Sequence, residues 1–130
     1  HVHQDITVEQ IREEKEKHPD ALVMVHPECT MDVIEMADKV ASTEGMLRFA
    51  LESEASEFIV GTEEGLVYRL SNEVPGKVFH RLETAICPNM KKIRLEDVLR
   101  ALERMGPEID LDPAIIEANK APLERMLSLK

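Results

Sequence analysis

Apolar and polar positions alternate in blocks along the first 80 residues, and each block has the length of one strand or one helix. Residues 21–25 form a continuous apolar run, which is typical of a strand buried in a parallel sheet. Shorter apolar runs predict three more strands, at residues 39–41, 58–60 and 77–80. Helical patterns separate these strands, and the last predicted helix between strands covers residues 65–70.

Residues that favour helix N-termini mark where the first helices begin. Thr7 and Gln10 have the spacing of a capping box, and the charged helix that follows should end at His18, next to a proline. Thr30 and Thr43 are expected to cap the next two helices. Strand and helix then alternate four times, which predicts a parallel sheet with helices on its faces.

The pattern after residue 90 predicts two further helices. Apolar residues recur every three or four positions over residues 95–102, and a Gly-Pro pair at Gly106 should end this amphipathic helix. Asp112 precedes a proline and should open a final helix that reaches residue 129. Pro122 lies inside that helix and is expected to interrupt and kink it.

These elements predict an α/β fold, a three-layer sandwich around a short, mainly parallel four-stranded sheet. The chain has 130 residues, 43% of them hydrophobic, which is sufficient for one globular domain with a core. We divide it into a lead-in with the first helix at residues 1–20 and an α/β domain at residues 21–130.

The charge balance excludes several classes of partner. Sixteen basic and 26 acidic residues give a net charge of −10, which argues against nucleic acid and anionic membranes. Aromatic residues make up only 3% and Trp is absent, so a stacking platform for bases is not expected. No apolar run approaches the roughly 20 residues of a membrane span, and no signal peptide is recognised, so we expect a cytoplasmic protein.

Polar residues follow the predicted strands where ligands bind in open parallel sheets, beyond the carboxyl ends of the strands. The first strand leads into His26 and Glu28, which could exchange protons or could be a hydrogen-bonded strand end and a helix-dipole charge. The second leads into Ser42 and Thr43, which could hold an anion or merely cap a helix. The third leads into Gly61, Thr62 and Glu63, and the last leads toward Cys87.

The loop at residues 85–92 places the Cys87 thiol beside a proline, with Met90 and Lys91 close behind it. A single cysteine cannot hold a metal alone, and a packed, inert thiol is the alternative. Cys29 lies three residues after His26, but no second pair with ligand spacing supports a metal site there. Two cysteines also make no disulfide framework at this length.

Three segments together resemble the C-terminal part of bacterial and archaeal quinolinate synthase, the iron-sulfur enzyme of NAD biosynthesis. They are residues 85–92, the His-Pro-Glu sequence at residues 26–28 and the Ala-Ser-Thr sequence at residues 41–43. The resemblance runs over nearly the whole chain. It implies that this domain is one of three similar α/β domains in a full-length enzyme.

The resemblance also implies a role for each candidate residue. His26 and Glu28 would carry acid-base steps and bind substrate, and Cys87 would be the last of three thiolates on a 4Fe-4S cluster. His1 and His3 could be a tag remnant, but His3 stands where the family has a histidine ahead of the first helix. The implied substrate-binding residues are His3, His26, Glu28, Ser42, Thr43, Met90 and Lys91.

The implied reaction condenses iminoaspartate with dihydroxyacetone phosphate to quinolinate, with one open iron of the cluster acting as a Lewis acid. L-aspartate oxidase or aspartate dehydrogenase would supply the iminoaspartate. The other two cluster cysteines lie outside this chain, which alone should hold no cluster and be inactive. Arg81 and Thr84 stand where some relatives have cysteines, so a local disulfide switch is not expected.

Two alternatives do not require this chemistry. One is a metal-free α/β module that binds a small anion at helix N-termini. The other is a structural interaction domain in which Cys87 is only packed.

Overall fold

The computed structural model describes residues 1–129, in two compact units. The first unit is His1–Met90, and the second unit begins at Lys91. The strands are β1 (Leu22–Val25), β2 (Lys39–Val40), β3 (Glu57–Gly61) and β4 (Val78–Arg81). The helices are α1 (Val8–Lys17), α2 (Met31–Ile34), α3 (Thr43–Glu52), α4 (Gly65–Glu73), α5 (Leu95–Arg104) and α6 (Pro113–Ser128).

The first unit contains one sheet with the strand order β2-β1-β3-β4, and every neighbouring pair is parallel. The predicted four-stranded α/β sheet is therefore confirmed, with all of its strands parallel. Val25 pairs with Val40 on one side and with Gly61 on the other. This register brings the ends of β1, β2 and β3 to the same edge of the sheet.

The core lies on both faces of this sheet, because successive strand residues point to opposite sides. One face packs against α1 and α2, and the other packs against α3 and α4, which gives the three predicted layers. The first face contributes Val23, Val25 and Ile59, and meets Ile11 and Val33. The second contributes Met24, Phe58 and Val60, and meets Met46 and Leu70.

Capping hydrogen bonds mark the starts of α1 and α3, and Thr30 stands at the N-cap of α2 as predicted although its side chain makes no capping hydrogen bond. The Thr7 hydroxyl accepts from the Gln10 N–H at 3.3 Å and the Thr7 N–H donates to Gln10 Oε1 at 3.0 Å, which confirms the capping box. The prediction that Thr43 caps α3 is wrong. Ser42 is the N-cap, because its hydroxyl accepts from the Gly45 N–H at 3.3 Å, and Thr43 is the first helical residue.

The second unit contains the two predicted helices. The Asp112 carboxylate caps α6 by accepting from the Ala114 N–H at 2.8 Å. The prediction that Pro122 interrupts α6 is wrong, because the helix runs through it to Ser128. A proline removes one hydrogen-bond donor, and the rest of a 16-residue helix can tolerate that loss. Within residues 1–129, no helix has the length and apolar character needed to cross a membrane.

Candidate functional site

The close pairing of β1 with β3 positions the first candidate, His26. Its backbone N–H donates to the Gly61 carbonyl at 3.1 Å, which extends the ladder one residue past β1. A Cβ on Gly61 would lie 2.7 Å from Val25 Cγ1, so only glycine fits opposite this valine without a shift. The pairing also carries the chain from β3 directly into Thr62, beside the exit from β1.

His3, His26 and Glu28 form a cluster at this edge, which we call the histidine–glutamate cluster. The rings of His3 and His26 are stacked, with centroids 4.1 Å apart and planes 9° from parallel. His3 Nδ1 lies 2.9 Å from Glu28 Oε2, and His26 Nδ1 lies 3.8 Å from the same oxygen. Imidazole and carboxylate groups this close together can hold a proton and pass it to one another.

His3 also lies 2.9 Å from Thr62, between its Nε2 and the threonine Oγ1. With Glu28 ionised and His3 neutral, Nδ1–H donates to the carboxylate and Nε2 accepts from the Thr62 hydroxyl. Thr62 is only 2% exposed, so its hydroxyl depends on protein partners. The result is a hydrogen-bonded chain from Glu28 through His3 to Thr62, which fixes the His3 ring in the site.

His26 differs from His3 in the ring nitrogen that carries its proton. The Glu28 backbone N–H donates to His26 Nδ1 at 3.3 Å, so the neutral ring carries its proton on Nε2. Burial lowers the pKa of His26 and the adjacent His3 ring lowers it further, while the Glu28 carboxylate acts in the opposite direction. The net pKa lies below the ordinary value, so His26 is neutral at pH 7 and presents an N–H donor.

The structure places some of the predicted site residues in one cavity and others outside it. His3, His26, Thr43 and Met90 line one cavity of about 320 Å³, which we call the edge cavity. Glu28, whose side chain is 72% exposed, connects to this cavity through its hydrogen bond to His3. Ser42 lines a separate cleft of about 260 Å³ beside Lys39 and Arg48, and Lys91 is the first residue of the second unit.

Three further polar residues line the edge cavity: Thr62 and Glu63, which the sequence placed at this edge without a role, and Arg69, which it missed. Thr62 and Glu63 directly follow β3, as His26 follows β1. The Glu63 carboxylate is buried and accepts from the Gly65 N–H at 2.7 Å, which holds the start of α4 against the cavity. Arg69 lies one helical turn further along α4, and nothing in the local sequence pointed to it.

Arg69 brings a guanidinium to the edge cavity, where it is paired with two carboxylates. Its guanidinium lies 2.8 Å from Glu73 and 3.2 Å from Glu44. The hydrogen bond to Glu73 raises the pKa of Arg69 above its already high ordinary value. A permanently charged, planar donor group at a cavity wall is suited to binding a carboxylate or a phosphate.

The two cysteines have different surroundings. Cys87 is a free, half-buried thiol in the loop after β4, and its carbonyl accepts from the Met90 N–H at 3.1 Å. This turn ties Cys87 to a residue of the edge cavity. Cys29 is buried, its Sγ donates to the Gly61 carbonyl at 3.6 Å, and burial raises the pKa of its thiol. Cys29 thus favours the protonated form, whereas a metal needs the thiolate.

A family model and curated relatives match nearly the whole chain. The family model described as "Quinolinate synthetase A protein" matches residues 1–128. The quinolinate synthase of Thermodesulfovibrio yellowstonii is 52% identical over 129 residues, and that of Desulforudis audaxviator is 48% identical over 129 residues. Quinolinate synthase 1 of Methanosarcina acetivorans is 43% identical over 129 residues.

These matches cover 98% of this chain but only 42 to 43% of each relative. The chain therefore spans about two fifths of the length of the curated relatives that it matches.

Proposed function

The chain belongs to the quinolinate synthase family, and on that premise we propose that it forms one wall of a site that condenses iminoaspartate with dihydroxyacetone phosphate to quinolinate. The observation that carries the proposal is the edge cavity, where the stacked His3 and His26 rings meet Thr43, Thr62 and Arg69. Both substrates are anions, and the family match covers nearly all of the chain.

The chain as a whole carries a net charge of −10 and repels anions. An anionic substrate must therefore be held by groups that lie within the site itself. Two features of the edge cavity favour negative groups. Arg69 supplies a guanidinium, and Thr43 begins the 10-residue helix α3, where unpaired backbone N–H groups and the helix dipole attract anions. We assign the carboxylates of iminoaspartate or the phosphate of dihydroxyacetone phosphate to this region.

Proton movement is the second requirement, since loss of water needs a proton on the departing hydroxyl. Neutral His26 offers its Nε2–H to a substrate oxygen, as its Nδ1 is occupied by the Glu28 N–H. Glu28 and His3 hold a second proton between them at 2.9 Å. In this proposal His26 positions and polarises the substrate, while the Glu28–His3 pair accepts and returns a proton.

A 4Fe-4S cluster is the cofactor that the family resemblance implies, and the chain can supply one of its ligands. Cys87 is free, half-buried and tied by its turn to Met90 at the edge cavity, as a cluster ligand beside a substrate site would be. When bound, such a cluster supplies a Lewis acid at its open iron. We propose that the remaining cysteine ligands lie outside this chain, because Cys29 is buried and favours the thiol form.

The substrate iminoaspartate implies a supplier. We propose that it comes from an L-aspartate oxidase or an aspartate dehydrogenase, the two enzyme classes that oxidise aspartate to this imine. The chemistry of the substrate supports this assignment.

A chimera tests the proposed function. Residues 1–130 replace the matching segment of the Thermodesulfovibrio yellowstonii relative, which is 52% identical to this chain. The chimera, purified without oxygen beside its parent, should form quinolinate from iminoaspartate and dihydroxyacetone phosphate. A folded chimera that holds as much iron as its parent but makes no quinolinate would contradict the proposal.

A further inference from the structure

Two groups of side chains in the described residues bring possible metal ligands together, the histidine–glutamate cluster and a group on the α1 face of the sheet. Glu57 is the first residue of β3, and His80 pairs with Ile59 in the neighbouring strand β4. Both side chains point to the face that Ile59 shares with α1, where His18 forms the C-cap of that helix. We call these three residues the strand-start cluster.

The strand-start cluster is separate from the edge cavity. Glu57 opens β3, whereas Thr62 follows the last residue of the same strand. Thr62 is five positions after Glu57 along extended chain, a distance of roughly 16 Å at about 3.3 Å per residue. An ion in one place therefore does not contact the other.

The potential ligand atoms converge on the Glu57 carboxylate. Glu57 Oε2 lies 3.2 Å from His80 Nε2 and 3.6 Å from His18 Nδ1. One ligand atom from each of the three residues falls within 4.8 Å of the other two. In a tetrahedral zinc site with bonds of about 2.0 to 2.1 Å, neighbouring ligand atoms lie roughly 3.4 Å apart. The two contacts to Glu57 are close to that value.

We propose that the strand-start cluster binds a divalent transition metal ion of the Zn²⁺ type, through His18 Nδ1, Glu57 Oε2 and His80 Nε2. Two imidazoles and one carboxylate form a ligand set that zinc proteins use, with water completing the tetrahedron. The same set is poor for Mg²⁺, which prefers oxygen ligands. The inference does not depend on the proposed function.

The surroundings of His18 favour a bound cation. Its other ring nitrogen, Nε2, lies 4.0 Å from Glu14 Oε2, so a carboxylate stands behind the ring. A carboxylate that accepts a hydrogen bond from this nitrogen orients a ligating histidine, and a turn of the His18 ring would be needed for Glu14 to do so. Glu14 also forms an ion pair with Lys17 at 2.7 Å.

Ion binding requires one local movement. The rings of His18 and His80 are stacked, with centroids 3.4 Å apart and planes 16° from parallel. A metal ion lies in the plane of each imidazole that binds it, so the two rings must tilt apart to share one ion. His18 is at a helix end and about one third exposed, so it is the ring with room to turn.

The test is a calorimetric titration of Zn²⁺ into the metal-stripped 130-residue chain. His80→Gln removes one ligand of the strand-start cluster, and His26→Gln is the matched control in the histidine–glutamate cluster. A Zn²⁺ binding event should persist in His26→Gln and weaken by at least about tenfold in His80→Gln. Mg²⁺ should produce no such event. Glu57→Gln replaces His80→Gln if circular dichroism shows that the latter is unfolded.

Histidine ring signals in NMR spectra locate the ion independently. Zn²⁺ should shift the ring signals of His18 and His80 in the unmodified chain. Equal Zn²⁺ affinity in His80→Gln and the unmodified chain would overturn the proposal. So would shifts confined to His3 and His26.

Discussion

His26 is the single residue whose protonation state follows most directly from its contacts. Its Nδ1 accepts a backbone N–H, its ring is stacked on His3, and its side chain is mostly buried. Burial and the second imidazole both disfavour the charged ring, and they outweigh the attraction of Glu28. The residue is therefore a hydrogen-bond donor at neutral pH, which is the role the proposed function gives it.

The first prediction concerns the pKa of His26 itself. An NMR titration of the ring should give a value below the ordinary one of about 6.5. Glu28→Gln should lower it further, because Glu28 is the neighbour that raises it. Glu117→Gln, a control at a carboxylate of matching exposure in the second unit, should leave it unchanged. A pKa above 6.5 in the unmodified chain would contradict this account.

The same shift gives His26 a defined effect on stability. Because the folded pKa lies below the unfolded one, the contribution of His26 is fully present above about pH 6.5. It is lost as the pH falls through the folded pKa, since the unfolded chain then binds the proton more readily. His26→Gln should remove this part of the pH dependence in urea denaturation curves.

At the scale of helices and strands, the sheet edge depends on how closely β1 and β3 pack. Gly61→Ala should destabilise the first unit by about 1 to 3 kcal/mol, as other insertions into packed interiors do. The reason is that the new Cβ would lie 2.7 Å from Val25 Cγ1. Val25→Ala removes that atom, so the double variant should be more stable than the two single effects predict. Additive losses in urea denaturation would contradict the close contact.

At the start of α3, two adjacent residues are expected to have different roles: Ser42 caps the helix and Thr43 contacts the ligand. Ser42→Ala should cost about 1 kcal/mol of unfolding free energy, because Ser42 is the residue that caps the helix. Thr43→Ala should change stability by less than about 0.5 kcal/mol. In the chimera, however, Thr43→Ala should weaken quinolinate binding by roughly tenfold or more, because Thr43 lines the edge cavity. If Ser42→Ala weakened quinolinate binding in calorimetry and Thr43→Ala lowered stability in melting curves instead, the two roles would be reversed.

The sequence was sufficient to predict the strands and most helices, because apolar runs and capping residues are local signals. Ser42 and Thr43 were ambiguous for the same reason, since both residue types favour N-caps and only the hydrogen bond to Gly45 distinguishes them. Arg69 could not be predicted as a cavity residue. Its position depends on how α4 packs after β3, and no local pattern encodes that packing.

At the scale of the whole molecule, the chain spans about two fifths of its relatives and carries one accessible thiol in the region that the structure describes. A cluster with protein thiolates needs more than one such group. The 130-residue chain should therefore purify with almost no iron even when it is folded. Four irons per isolated chain would contradict the assignment of the other ligands to segments outside it.

The two cysteines provide a matched pair for the cluster assignment in the chimera. Cys87→Ser should abolish iron and sulfide binding, because it removes a proposed ligand. Cys29→Ala should retain both iron and sulfide, because Cys29 is buried and its Sγ donates a hydrogen bond to the Gly61 carbonyl. Iron and sulfide analysis of both variants checks this prediction. Full iron content in Cys87→Ser would show that Cys87 is not a cluster ligand.

The most direct test of the proposed active-site wall compares two glutamates of equal exposure in the cluster-loaded chimera. Glu28 is 72% exposed and bonded to His3, and Glu117 is 73% exposed and paired with Lys120. Glu28→Gln should lower the rate of quinolinate formation by about 10² to 10⁴-fold with unchanged iron content, as loss of a general acid-base group does. Glu117→Gln should keep the full rate. Equal rates in both variants would contradict the assignment of the histidine–glutamate cluster to the reaction.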